Sequence, residues 1–280
     1  MGNVYDMVTE RILKQMEQGV IPWQKSWMTV CDGAYNRISK KSYSLINQLM
    51  LMHHGEYATF KQWKELGGTI RKGEKAEQVV FWKMQEAEEE KNGEIIKKTV
   101  PLLRYYNVFH ISQVDGVESE MVNKLIEHDG IKEAEDVKNN YAEREQLEIK
   151  EIITDKACYI PQLDQISMPC KEQFSDIKKF YSTLFHEMVH STGAKKRLDR
   201  EIKNNFGSEK YSKEELVAEI GSAGLMNMLG LETEYTFSNS TAYLQSWIKV
   251  LKNDNRFIIS ASSKAEKAIH YILNGKQGLD

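Results

Sequence analysis

The segment from Phe174 to Thr192 reads F-S-D-I-K-K-F-Y-S-T-L-F-H-E-M-V-H-S-T. Ile177, Phe180, Leu184 and Met188 recur every three or four residues. The spacing predicts an amphipathic helix capped by Ser175 or Asp176 and stopped at Gly193. Within it stands His186-Glu187-Met188-Val189-His190. Residues four apart share a helix face, so both imidazoles can point at one zinc ion at ~2.0 to 2.1 Å, with Glu187 beside the water that zinc activates. This is the pattern of a zinc hydrolase, and one Zn2+ per chain is expected. Zinc lowers the pKa of water from 15.7 toward ~7; Glu187 is then the residue to take the proton and deliver it to a leaving amine.

A catalytic zinc keeps a third protein ligand and one open position. Another helix, expected over residues 213–229, offers Glu214, Glu215 and Glu219. Glu215 and Glu219 are four apart, so one can bind the ion while the other supports an imidazole from behind. Spacing alone leaves the choice open. Tyr211 is a candidate donor to a developing oxyanion, and His270 and His110 are more distant alternatives for the third ligand.

Outward from this helix, the chain of 280 residues is 41% apolar, which excludes wholesale disorder and suits about two domains. The longest apolar runs, such as 49–52 and 79–82, fall far short of the ~20 residues of a membrane span. Asp6, Glu10, Arg11, Lys14 and Glu17 interrupt the N-terminus, unlike a secretory signal, and Asp6 stands where a myristoylation signal takes Ser or Thr. A cytoplasmic protein is expected. Cys31, Cys158 and Cys170 lack CxxC spacing and are expected as reduced thiols.

The net charge of −3 hides a gradient: residues 1–83 carry 12 Lys and Arg against 8 Asp and Glu, the remainder 26 against 33. Four of the five tryptophans also lie in that first stretch. An α+β N-terminal domain is expected over 1–114, with helices over 4–18, 44–53 and 60–66, a turn at 71–74, and strands over 78–84 and 102–111. The charged run 86–94 between the strands holds the Asn92-Gly93 hairpin signal. Residues 115–142 read as a charged linker with some helical content. A mainly helical domain with a small sheet follows over 143–280, with strands near 157–161 and 165–168 and further helices over 243–252 and 263–273.

The N-terminal half interleaves aromatic and basic residues: Trp23, Lys25 and Trp27; Tyr35, Arg37, Lys40, Lys41 and Tyr43; Lys61, Trp63, Lys64, Arg71, Lys72 and Lys75. Basic groups that follow phosphates and rings on which bases stack are what single-stranded nucleic acid requires.

The ordered series Ile21-Pro22-Trp23, N-R-I-S-K-K-S-Y-S-L-I-N over 36–47, Thr59 to Trp63, G-G-T-I-R-K-G-E-K over 67–75 and Asn107-Val108-Phe109 resembles the N-terminal domain of ArdC-type antirestriction proteins, shared with TraC-type plasmid primases. Tyr159-Ile160-Pro161, Ile166 to Pro169, Y-S-T-L-F-H-E-M-V-H-S-T-G over 181–193, Arg197-Leu198 and 214–221 resemble their zincin-like metallopeptidase domain. The resemblance implies single-stranded DNA binding, a zinc-peptidase fold, and protection of incoming DNA of a mobile element from host restriction, with host restriction-modification proteins as possible partners. It assigns His186 and His190 to the metal and Glu187 to acid–base chemistry. Glu215 and Glu219, as E-L-V-A-E, are similar to the E-x-x-x-D/E of gluzincins, whose first glutamate binds metal. This sequence departs from the pattern at Ser191, where relatives often carry Trp, and at Gly224-Leu225-Met226, where a bulkier aromatic is common. Two other readings remain: a DNA-binding shield whose metal only braces the fold, and an intracellular zinc peptidase whose N-terminal domain recognises protein.

Overall fold

The computed structural model describes residues 4–17, 33–53, 55–91, 94–120, 130–154, 156–174, 176–202, 209–231 and 247–278. Trp23, Trp27 and Cys31 lie outside these; Cys158 and Cys170 are free thiols.

Helix α1 (Val4–Glu17) buries Val8, Ile12 and Met16, the face its periodicity marks. Strand β1 (Ala34–Asn36), helix α2 (Leu45–Met50), strand β2 (Gly55–Ala58), helix α3 (Phe60–Glu65) and strand β3 (Thr69–Ile70) follow. Strands β4 (Glu77–Lys91) and β5 (Glu94–His110) then form a long ribbon, and β6 (Val114–Asp115) pairs with β3. The principal sheet runs β1-β2-β5-β4, with β1 and β2 parallel and the other pairs antiparallel. The charged run 86–94 is strand up to Lys91, and the partner strand begins at Glu94. The register continues without a break to Lys91 opposite Glu94, and the expected Asn92-Gly93 turn lies outside the described residues.

Thr59 starts α3 with a reciprocal capping box: its Oγ1 accepts from the Gln62 amide at 3.3 Å, and the Gln62 side chain accepts from the Thr59 amide at 2.9 Å. That fixes the helix so that Trp63 turns inward.

In the second half come α4 (Gly130–Glu145), β7 (Glu148–Ile152), β8 (Cys158–Ile160), β9 (Gln165–Pro169), α5 (Ile177–Thr192), α6 (Glu209–Met228), α7 (residues 247–253) and α8 (Phe257–Asn274). The small sheet is ordered β7-β9-β8, leaving β8 at its edge. Asp176 is the cap of α5, accepting from the Lys178 amide at 2.8 Å. Helix α8 starts six residues before its expected position; Phe257, Ile258 and Ile259 are consecutive and all buried, so its first turn shows no polar face in the sequence.

One hydrophobic core joins the halves. Val8, Ile12, Leu49 and Met50 pack in the same cluster as Phe185, Met188, Ala265 and Ile269. The Thr9 hydroxyl donates to the Asn255 carbonyl at 2.7 Å, and the Leu45 amide to Glu266 Oε1 at 3.2 Å. In the segment expected as a linker, Ala134 and Tyr141 of α4 are fully buried in this core. Among the described residues no helix is long and apolar enough to cross a membrane. The molecule is α+β.

Glycines set how closely the helices approach. A Cβ on Gly221 would lie 2.8 Å from Cγ2 of Val189, and one on Gly224 would lie 2.6 Å from Cδ1 of Ile269. The first glycine lets α6 close onto α5, the second onto α8. The departure at Gly224 is thus a packing requirement of this chain. Ser191 is also explained: it is fully buried with its hydroxyl 2.8 Å from that of Tyr141, whose ring occupies the adjoining space. Gly221→Val overpacks the α5–α6 seam at a cost of about 1–3 kcal/mol. Thermal melting is expected to fall by roughly 2–12 °C; an unchanged midpoint would show that the seam is loose.

Candidate metal centre

Helix α5 presents His186 and His190 one turn apart to α6, which supplies three carboxylates from two turns. The two imidazole Nε2 atoms are 3.1 Å apart. Glu215 reaches between them, Oε2 at 3.5 Å from His186 Nε2 and Oε1 at 3.4 Å from His190 Nε2. Tetrahedral ligands at ~2.1 Å from one ion stand about 3.4 Å from each other. The donor spacing therefore fits a small divalent cation, and two imidazoles with a carboxylate are a donor set for zinc and its first-row neighbours.

The other two acids lie behind the histidines. Glu219 Oε1 is 3.7 Å from His186 Nδ1, and Glu214 Oε1 is 3.4 Å from His190 Nδ1. Each ring thus has its Nε2 toward the centre and its Nδ1 toward a carboxylate, an arrangement that fixes tautomer and ring orientation. Spacing left Glu214, Glu215 and Glu219 open; the structure brings Glu215 to the convergence point. Glu214 is held in turn by Arg200, whose Nη2 and Nε donate to it at 2.8 and 3.2 Å while Nη1 donates to Thr192 Oγ1 at 2.7 Å.

Without a cation this cluster holds protons. Burial disfavours charge on His190, but hydrogen bonds to Glu214 and Glu215 overcome it and push the pKa up to about 10. His186 is raised as well: burial opposes, the bond to Glu215 favours, and repulsion from His190 opposes. Burial works against ionisation of Glu215, yet both imidazoles hold it far below the ordinary carboxylate range. Glu214 is lowered against burial by His190 and Arg200.

Glu187, buried one position beyond His186, accepts from the Tyr159 amide of edge strand β8 through Oε2 at 2.7 Å. That strand is itself pinned. Tyr159 Oη donates to Asp164 Oδ1 at 2.7 Å, and Arg197 grips both oxygens of Asp164 at 2.7 and 2.9 Å. Arg197 also donates to the Ser191 carbonyl at 3.1 Å, tying the β8–β9 turn to the end of α5. Nothing local in the sequence links Arg200 and Asp164 to the histidines, and only the family resemblance marks Arg197. Tyr211 lies four residues before Glu215 on α6 and is partly exposed; His270 is exposed on α8, and His110 stacks on His53 at 4.9 Å in the other half. Neither histidine joins the cluster.

The expected nucleic-acid residues divide. Trp63 is completely buried and its Nε1 donates to the Phe109 carbonyl at 2.8 Å. Tyr43 is buried against Tyr57 and Phe81. Arg37 is buried between Glu56 and Glu120. These three side chains lie in the core here and not on the surface expected of them, for one cause: in a small sheet domain large rings and a paired guanidinium fill the interior. Lys40, Lys41, Lys61, Arg71, Lys72 and Lys75 are exposed, with Lys40 paired to Glu120, Lys61 to Glu65, and Arg71 to Glu74 and Asp115. Among the described residues the exposed aromatics are instead Phe60 on α3 and Phe81, Trp82, Tyr105 and Tyr106 on the β4–β5 ribbon.

Two family models match in chain order: the N-terminal domain of anti-restriction factor ArdC over residues 2–109, and a zincin-like metallopeptidase over residues 136–264. The chain is 33% identical to DNA primase TraC of Escherichia coli over 98% of its own length but only 20% of the primase, so it spans a minor part of that protein. It is 32% identical to protein y4eC of Sinorhizobium fredii, covering 95% of this chain and 90% of y4eC. Among solved structures, the metal-free antirestriction protein ArdC of plasmid R388 covers 100% of both chains at 33% identity with a TM-score of 0.81. The Mn(II)-bound form of the same protein gives 0.79 at 32% identity. With both halves matched in order and end-to-end superposition on R388 ArdC, the chain belongs to the family of ArdC-type antirestriction proteins.

Proposed function

We propose that the protein serves a mobile genetic element by binding single-stranded DNA and by cleaving protein at a zinc-dependent peptidase site, protecting incoming DNA from host restriction in the cytoplasm. The observation that carries the enzymatic half is the convergence of His186, His190 and Glu215 donors at 3.1 to 3.5 Å with Glu187 alongside. That R388 ArdC has a Mn(II)-bound form supports a divalent cation as a ligand of this chain. The similarity to TraC supports DNA as a partner. Host restriction-modification proteins are the candidate protein substrates.

His186, His190 and Glu215 would hold the ion, with Glu214 keeping the proton on His190 Nδ1 and the charge of Glu219, 3.7 Å from His186 Nδ1, favouring the same tautomer there, so that each Nε2 offers its lone pair. A divalent cation there supplies Lewis acidity to water and to the scissile carbonyl. Glu187, with Oε2 fixed by the Tyr159 amide, uses Oε1 to accept a proton from the attacking water. As the water oxygen bonds to the carbonyl carbon and the C–N bond breaks, the same oxygen returns that proton to the departing amine nitrogen. Arg197 and Asp164 hold β8 so that this carboxylate stays aimed.

Glu187→Gln is expected to retain about one zinc per chain, measured by elemental analysis, while cleavage of candidate restriction subunits and protection in cells are both lost. Full protection by this variant would reduce the protein to a DNA shield. Glu214→Gln is expected to weaken zinc affinity about 10- to 100-fold in chelator competition by freeing the His190 ring. Zinc must displace the protons that the histidines hold, so affinity is expected to fall about tenfold for each proton displaced per pH unit as pH drops below about 10 toward 5. An affinity that stays flat across that range would contradict the coupled protonation described above.

A further inference from the structure

Among the described side chains of the β4–β5 ribbon, one face packs on the body through Val80 and Leu103, with Trp82 and Tyr105 half-exposed at its margin, and the other face is open beyond its base. Val80 and Leu103 are buried in the main core, and Trp82 on that side tilts against Tyr5 of α1 at 6.1 Å. Directly opposed residues share a face, so Val79 with Tyr106, Phe81 with Arg104 and Lys83 with Leu102 form the other side. At its base Val79 and Val108 are buried with Tyr57 and Leu51, which anchors the ribbon. Beyond that base Phe81 and Tyr106 project into solvent, 44% and 49% exposed, with ring centroids 5.8 Å apart. Arg104 and Lys83 are exposed on the same face.

We infer that this face, formed by Phe81, Lys83, Arg104 and Tyr106, is where single-stranded DNA docks, bases stacking on the two rings and phosphates meeting the two cations. The inference rests on the proposed reading of the chain as a single-strand binder and gives that reading a place. Residues 78–83 and 102–108 contain Lys83 and Arg104 and no carboxylate, so the charge suits a polyanion. The basic loops suit it less, because Lys40, Lys61 and Arg71 already have carboxylates beside them that compete with phosphate. Paired aromatics on neighbouring strands of a four-stranded sheet are a known way to stack two or three unpaired bases. Duplex DNA, whose bases are already stacked, gains nothing from them.

Fluorescence anisotropy of the full chain with a labelled single-stranded 30-mer of mixed sequence tests this directly. Phe81→Ala and Tyr106→Ala are each expected to weaken binding at least about fivefold, with Tyr106→Phe close to wild type. Arg104→Gln is expected to lower the slope of log affinity against log salt by about 0.7. The double variant Lys72→Gln with Lys75→Gln should retain most of the affinity. If wild type binds and both alanine variants, folded as judged by melting, bind equally well, the docking face is wrong and single-strand binding stands. Equal affinity for a duplex of the same length overturns the stacking role. An absence of wild-type binding removes the single-strand reading and this inference with it.

Discussion

The packing of α6 against α5 puts three carboxylates around two imidazoles in a largely buried seam. Taking each ion from water costs several kcal/mol after relaxation, and a buried pair recovers this only if its remaining lone pairs and protons are satisfied. Here they are: Glu214 has Arg200 and His190, Glu215 has both rings, and the imidazoles retain protons when no cation is present. A hydrophobic seam of equal volume would be no less stable. The charge cluster is therefore best understood as a binding device that the fold tolerates, with Gly221 and Val189 setting the distance between its two sides.

The same seam explains how distant parts of the chain bear on the centre. Arg200 lies beyond the end of α5 and bonds the Val189 carbonyl, Thr192 and Glu214, so one guanidinium holds the loop, the histidine helix and the carboxylate helix together. Arg197, three residues earlier, performs a comparable task toward Asp164 and thus toward Tyr159 and β8. Behind both, α1 and α2 complete the hydrophobic core, so the N-terminal half contributes to holding the helices that carry the metal donors.

Much of this was legible in the sequence, because periodicity and capping are local. The α5 helix, a cap at Ser175 or Asp176 and the spacing of His186 with His190 follow from side chains a few residues apart, and the structure has the helix and the histidines in those places with Asp176 as the cap. The pairing of the two strands flanking residues 86–94 was legible too, but the charge in 86–91 concealed that the strand continues, since the sequence there shows no apolar alternation. Short strands β1 and β2 were not legible: three or four residues are too few to show alternation, and β1 pairs in parallel with a strand about twenty positions away. Composition likewise does not tell a ring in the core from a ring on the surface. Trp63 and Phe81 look equivalent as letters; Thr59 capping turns the first inward, while the register of β4 with β5 carries the second past the edge of the core.

The central claim is that α5 and α6 form a three-donor cation site, and anomalous X-ray diffraction from crystals of the full chain grown with zinc tests it most directly. The account predicts one strong anomalous peak per chain within coordination distance of His186 Nε2, His190 Nε2 and a Glu215 carboxylate oxygen. Crystals with no peak there, or with the ion held by other side chains, would contradict it.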